Sequence, residues 1–366
     1  MISPKAVKNV DNCRFCWMCR HLCPVGLKTG KEINTPRAKA LLLSLVERGT
    51  KFDADMARAM YECVLCGACT NDCVTGFDPA VYIREARSAA VAEALLPSGV
   101  AAVLENIEKT GGIYGKKKTV LKAASRGAGT QDTLLYIGEV APEKTPGMVK
   151  AFMNLLDKAG VAFSILENEA PSGTFLGDLI GFVEETRAQA LVCAERINGS
   201  INDSSAKTVI VLDPWEAATM IQRYGEWGFP IKAELKTAPS FIADLVKWGK
   251  LKPAKKSGVV SYHDSSRLAR DLEIHDAPRF LLESMGYTVK EMFQNKRLAK
   301  CCGSSLLKAY APELALLTAE GRWEDFFRTG AETLVTACPE SYEVLSGKIP
   351  EGKKLADLFE LLDAAC

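Results

Sequence analysis

No stretch of this 366-residue chain approaches the run of about 18 apolar residues that spans a bilayer. The N-terminus, Met1-Ile-Ser-Pro-Lys-Ala-Val-Lys, has no apolar leader of the secretory kind. Net charge is nearly absent as well: 46 Lys and Arg against 45 Asp and Glu leave +1, so no global field draws in nucleic acid or an acidic membrane surface. Nucleotide fingerprints are missing. Gly111-Gly112-Ile-Tyr-Gly115-Lys116 has no glycine five residues before Gly115, and neither Ser nor Thr follows Lys116, so it is not a phosphate loop. Gly127-Ala-Gly129 lacks the third glycine and the following helix of a dinucleotide site. No acid–base constellation stands out. The expectation is a cytoplasmic protein in a reducing, anaerobic setting, with membrane contact only through a partner.

What the chain does have is cysteine, 13 in all within an otherwise ordinary composition of 48% hydrophobic and 25% charged residues. Without a secretory context this is not a disulfide scaffold. Eight cysteines fall into two tight runs, Cys13-x2-Cys16-x2-Cys19-x3-Cys23-Pro24 and Cys63-x2-Cys66-x2-Cys69-x3-Cys73. Zinc favours two separated pairs and fits less well. The spacing is that of ferredoxin-type [4Fe–4S] loops. In two-cluster ferredoxins the fourth cysteine of each run ligates the other cluster. That resemblance assigns Cys13, Cys16, Cys19 and Cys73 to one cluster, and Cys63, Cys66, Cys69 and Cys23 to the second. Arg14, Trp17, Arg20 and His21 lie in or beside the first loop, where positive charge would raise the potential of its cluster; packing or solvent exposure is the equal alternative.

The chain divides into three parts. Residues 1–112 hold both runs, with helices expected over Pro36–Glu47 and, after Asp78, over Pro79–Leu96. Residues 113–130 are expected to form a linker, including Lys116, Lys117, Lys118 and Ser125–Thr130. Residues 131–250 alternate strands (133–137, 161–166, 208–212) with helices (148–156, 241–248). After a second basic link at Lys250, Lys252, Lys255 and Lys256, residues 257–366 repeat the order. Strands are expected at 258–264, 287–292 and 334–338, and a helix at 276–285, giving a repeat of roughly 110–120 residues. The fold class is therefore α+β and α/β: a mostly helical two-cluster ferredoxin-like domain followed by two tandem α/β modules.

Cys301-Cys302-Gly303 followed by Cys338-Pro339 resembles the CCG cysteine-rich module of heterodisulfide reductase and of the iron–sulfur subunits of anaerobic glycerol-3-phosphate dehydrogenase and glycolate oxidase. That family also carries two ferredoxin-like runs ahead of two such modules, so the resemblance covers nearly the whole chain. The match departs from the family at several positions. Ser266, in His263-Asp264-Ser265-Ser266, stands where the family has its first cysteine, and Ser341 replaces the last cysteine of Cys-Pro-x-Cys. In the first module every family cysteine is gone. Gly138-Glu139 replaces Gly-Cys, Pro171-Ser172-Gly173 replaces Cys-Cys-Gly, and Asp213-Pro214-Trp215-Glu216 replaces Cys-Pro-x-Cys. Cys193 reads as a buried hydrophobe and Cys366 needs no role; His263 reads as a packed strand-end residue ahead of a ligand, and His275 as a surface residue.

The resemblance implies an electron-transfer subunit of an oxidoreductase complex, with two [4Fe–4S] clusters relaying electrons between a flavoprotein partner (a dehydrogenase or an electron-transferring flavoprotein) and a further acceptor. The first alternative is catalytic reduction of a disulfide, quinone or similar acceptor at Cys301, Cys302 and Cys338. Those three thiolates would hold a third iron–sulfur cluster if Ser266, Ser341, His263, water or a partner supplied a further ligand. The second alternative is a docking scaffold in which only the N-terminal part conducts.

Overall fold

A computed structural model describes residues 3–116, 125–126, 131–166 and 169–366. The centre of the expected linker, including Lys117, Lys118 and Gly127–Thr130, lies outside the described residues.

Four of the longer helices of the N-terminal part start where the sequence supplies a side-chain cap. Ser3, Thr35, Asp53 and Asp78 accept hydrogen bonds from the first-turn amides of the helices Pro4–Asp11, Pro36–Glu47, Ala54–Tyr61 and Pro79–Ala92, and three of these have proline in the first turn. A further helix, Ser98–Thr110, ends at Gly111 with φ +78°. Their apolar faces bury Val10, Leu43, Met60, Tyr82 and Ile83 in one core, and Phe175, Leu179 and Leu306 from the later parts of the chain join it. The helical part is thus packed onto both modules by side-chain burial.

The first sheet contains β1 (Ser125–Arg126), β2 (Thr133–Tyr136), β3 (Phe163–Ile165), β4 (Thr208–Val211) and β5 (Glu234–Thr237) in the order β1-β3-β2-β4-β5. The second contains β6 (Val259–Tyr262), β7 (Thr288–Val289), β8 (Thr333–Thr336) and β9 (Lys354–Asp357) in the order β7-β6-β8-β9. With β1 set aside, the two orders coincide strand for strand, and every pairing in that common set is parallel. The repeat read from the sequence is therefore a repeat of topology, slightly longer than expected, with Thr133 matched to Val259. Two expectations need correction. Ser125–Arg126 is not plain linker: it pairs antiparallel with β3 as an edge strand. The strand expected over 287–292 shrinks to two residues, because the Lys290 amide makes the last bond to β6, at the Val260 carbonyl, and the chain then turns away.

The modules pack face to face through one apolar core. The first helix of the first module, Pro146–Lys158, lies on the last helix of the second, Leu358–Asp363, with Phe152 and Phe359 edge to face at 5.1 Å. Reciprocally, the last helix of the first module, Ala238–Lys247, lies on the first of the second, Asp276–Ser284. This exchange gives the pair an approximate two-fold relation and turns the strand ends that follow β2, β4, β6 and β8 towards one shared interior.

Asp357 caps the helix Leu358–Asp363 by accepting the Glu360 amide at 2.8 Å, while its other carboxylate oxygen is buried without a partner. Burial outweighs the cap and pushes the carboxyl up to about 8. An acid raised in the folded state stays protonated where the unfolded chain is already ionised, so its contribution is full below about pH 4 and is lost as pH rises to about 8. Asp357→Asn keeps the cap acceptor and removes the titration. The pH dependence of unfolding should therefore flatten by up to about 1.4 kcal/mol per pH unit between pH 4 and 8, measured as the difference between the two proteins' midpoints across that range.

Candidate iron–sulfur site

The two cysteine runs build the same loop twice. Phe15 and Leu65, each before the second cysteine of its run, have φ of +51°, and Trp17 and Gly67, each after it, have φ of +72° and +71°. Left-handed backbone costs a non-glycine residue about 1–2 kcal/mol. Three such residues at matching positions mark a backbone held for function, not for packing alone. The twist folds each loop around its own sulfurs. The Leu65 amide points at Cys63 Sγ at 3.4 Å, and the Gly26 amide at Cys23 Sγ at the same distance.

Two pockets result. One is lined by Cys13, Cys16, Cys19 and Cys73 together with Arg14, Trp17, Met18, Arg37 and Val74. The other is lined by Cys23, Cys63, Cys66 and Cys69 with Lys39, Val25, Val64 and Ile83. The fourth cysteine of each run thus sits with the other run's first three. Cys69 lines both pockets, so they adjoin. Among the described residues no three His, Cys, Asp or Glu side chains form a group that could hold a single metal ion. A four-thiol donor set in largely apolar walls fits an iron–sulfur cluster.

The surroundings of the two sets differ. Around the first, Met18 is 65% exposed, Val74 95% and Trp17 43%. Arg37 stacks on Trp17 at 4.2 Å, Arg20 is paired with Glu32, and Arg14 bonds the Asp11 carbonyl at the surface. Burial pushes Cys19 up to about 11. Burial also acts on Cys73, but hydrogen bonds from the Thr75 hydroxyl and the amides of Thr75, Gly76 and Phe77 outweigh it and hold that thiol below its ordinary value.

The second set is enclosed, and burial pushes Cys23 up to about 12. Two cations beside it were not singled out from the sequence, because each sits inside an amphipathic helix that reads as ordinary. Lys39 is fully buried in the pocket wall, its ammonium bonded to the Ile33 carbonyl at 3.1 Å. Burial drives its pKa down, and nearby Cys63 and Cys23 oppose the shift. Arg87, equally buried, donates to the carbonyls of Met60, Cys63 and Asp178. Positive charge thus stands at both sets: Arg14 and Arg37 line the first pocket, Lys39 lines the second, and Arg87 holds the loop behind it.

Cys301, Cys302 and Cys338 are all buried. Cys301 Sγ donates to the Gly303 carbonyl at 3.3 Å and lies in the same apolar cluster as Cys66 of the second loop, whose thiol is driven well above its usual range by its neighbour Cys301 and by burial. Ser266 Oγ also approaches Cys301 Sγ, at 3.9 Å. Cys302 and Cys338 are each pushed up to about 12 by burial, and the Ser341 amide points at Cys338 Sγ at 3.5 Å. His263 is buried at the end of β6 and its Nδ1 accepts from Arg322 at 3.1 Å, the packed role expected of it. Burial and then Arg322 drive its pKa well down, so it stays neutral. His275 is half-buried beside Asp276. Cys193 is buried in the helix Glu184–Ser204 and Cys366 is exposed.

In the first module carboxylates stand where the resemblance would put thiols. Glu216 accepts from the Glu139 amide at 2.7 Å and from the Tyr136 hydroxyl at 2.8 Å, and Glu169 takes the amides of Ile137 and Gly138. Burial, then Glu216, pushes Asp213 up to about 8. The module is closed by its own hydrogen bonds.

Residues 9–77 match the family model of the 4Fe–4S dicluster domain. The chain is similar to one subunit of the dihydromethanophenazine:CoB–CoM heterodisulfide reductase of Methanosarcina mazei, at 25% identity over 90% of this chain and 87% of that one. It is also similar to the EtfAB:quinone oxidoreductase of Syntrophomonas wolfei, at 24% identity over 98% of this chain, but it spans only 58% of that protein's length. Among solved structures, one of a hypothetical protein from Helicobacter pylori shares the fold, with a TM-score of 0.58 at 10% identity, covering 100% of this chain and 73% of that one. The chain is an iron–sulfur protein of oxidoreductase type. More narrowly, it is an iron–sulfur protein like that heterodisulfide reductase subunit. Among the described residues no helix is long and apolar enough to cross a membrane.

Lys39→Met keeps the stem and removes the buried charge beside Cys23 and Cys63. Redox titration followed by electron paramagnetic resonance should show one of two centres shifting to more negative potential while the other stays put. Equal shifts of both would contradict the placement of Lys39 at the second set alone.

Proposed function

We propose that this chain is the electron-transfer subunit of an oxidoreductase complex, carrying two [4Fe–4S] clusters between a flavoprotein and a further acceptor. The ligands are Cys13, Cys16, Cys19 and Cys73 for one cluster, and Cys63, Cys66, Cys69 and Cys23 for the other. The domain limits are 1–112, 131–250 and 257–366. The observation that carries this reading is the arrangement of two adjoining four-thiol pockets, one rimmed by exposed apolar side chains and one enclosed against the C-terminal module. Clusters so held supply one-electron transfer. Trp17, Met18 and Val74 form the docking rim for the flavoprotein, since exposed apolar groups around a redox centre let a partner exclude water there. Lys39 and Arg87 hold positive charge beside the inner set and so favour electron arrival at it. The name of the Syntrophomonas relative, which couples EtfAB to quinone, supports a flavoprotein as donor.

A second reading is favoured by the burial of Cys66 and Cys301 in one apolar cluster, which brings the inner set beside the C-terminal cysteines. There an acceptor would be reduced at Cys301, Cys302 and Cys338, with or without a third cluster. The first module, closed by Glu216 and Glu169, takes no part in either reading.

Iron content and electron paramagnetic resonance on protein purified without oxygen separate the two. The relay predicts about eight irons per chain, unchanged in the triple variant Cys301→Ser, Cys302→Ser, Cys338→Ser, with reduction by a reduced electron-transferring flavoprotein also unchanged. About twelve irons, falling to about eight in the triple variant with loss of acceptor reduction, would replace the relay by catalysis in the second module.

A further inference from the structure

Beside the inner thiol pocket lies a much larger cleft of about 410 Å³, bounded by the second cysteine loop, the helix Pro214–Arg223 of the first module and the turn Arg267–Asp271 of the second. That volume is in the range of small-molecule sites, which hold about 300–1,000 Å³. Leu65, Gly67, Thr70 and Ala80 line both the cleft and the thiol pocket, so a single layer of residues separates them.

Five arginines line the cleft: Arg84, Arg223, Arg267, Arg270 and Arg297. Four of them already have carboxylates. Arg84 and Arg267 share Asp178, at 2.7 and 3.0 Å, and Arg267 also holds Asp271. Arg223 pairs with Glu226 and Arg297 with Glu273, but both of these acids are exposed, and such pairs are weak enough to exchange for a ligand. Arg270 is different. It is only 8% exposed, and its guanidinium bonds the backbone carbonyls of Cys66, Arg297 and Ala299. Its Nη2 is buried with no partner, and among the described residues it makes no ion pair. A buried cation left without a counter-charge is costly unless an anion completes it.

We propose that this cleft binds a small oxyanion ligand, a carboxylate or phosphate, gripped by Arg223 and Arg297 at the rim and offsetting through the cleft wall the buried charge of Arg270. Guanidinium forks match both oxyanions bidentately, which suits this role better than lysine would. Because the cleft shares its wall with the thiol pocket, ligand binding and reduction of the inner centre oppose each other. Negative charge in the cleft makes reduction harder, and reduction weakens binding by the same factor.

The test uses holoprotein purified without oxygen and titrated calorimetrically with inorganic phosphate and, separately, with succinate at constant ionic strength. Saturable binding of either probe at one site per chain is expected, and which one binds identifies the oxyanion. Arg270→Gln should weaken it at least tenfold. Since Arg270 also ties two loops together, the rim double variant Arg223→Gln, Arg297→Gln serves as a second test and should weaken binding by a similar factor. Binding should also change the resonance spectrum of one of the two centres only. No saturable binding of either probe, or unaltered affinity in the double variant, overturns the proposal. Iron content and both resonance signals measured on the same samples keep such a failure distinct from a failure of the two-cluster reading.

Discussion

The buried guanidinium of Arg87 ties the second cysteine loop to the first module. Its three nitrogens donate to the carbonyls of Met60, Cys63 and Asp178, so one side chain fixes the start of the second cysteine loop and the end of a helix in the first module. Its ring partner Tyr61, 4.9 Å away, donates to the Leu179 carbonyl, and Tyr310 from the second module donates to the Tyr61 carbonyl. All three parts of the chain therefore meet where the inner thiols are set. A charged group satisfied by backbone oxygens in a water-free site has few alternative geometries, which is why it specifies position more than it adds stability.

From that anchor the division of labour follows. The outer thiol set looks to solvent through Trp17, Met18 and Val74, and the inner set looks to the C-terminal module through the apolar cluster that Cys66 and Cys301 share. Arg270 repeats the device of Arg87 on the other side of the same loop, reaching the Cys66 carbonyl. Two arginines thus grip one loop, one from the helical part and one from the second module. Any partner or ligand that moves either part is felt at the inner set.

The two modules share a topology but not a lining. In the first, Glu216 and Glu169 accept from the Tyr136 hydroxyl and the amides of Ile137, Gly138 and Glu139 at the end of β2. In the second, Cys301, Cys302 and Cys338 are all buried, and Cys301 and Cys302 share an apolar cluster with Cys66 of the second cysteine loop.

The sequence by itself determined the elements whose signals are local: the capped helix Pro36–Glu47, the helix start at Pro79, the alternation of strands and helices in both modules, and the two cysteine runs. The pairing of each fourth cysteine with the other run's loop was legible only through the resemblance to two-cluster ferredoxins, because nothing in one run's spacing points to the other run. Tertiary structure alone decided the charges around the thiols and the cleft beside them. Lys39, Arg87 and Arg270 each lie on a helix or turn whose pattern is ordinary, and only the approach of a distant segment buries them. The carbonyls, thiols and carboxylates that meet these cations come from chain parts up to hundreds of residues away, and no local spacing encodes them.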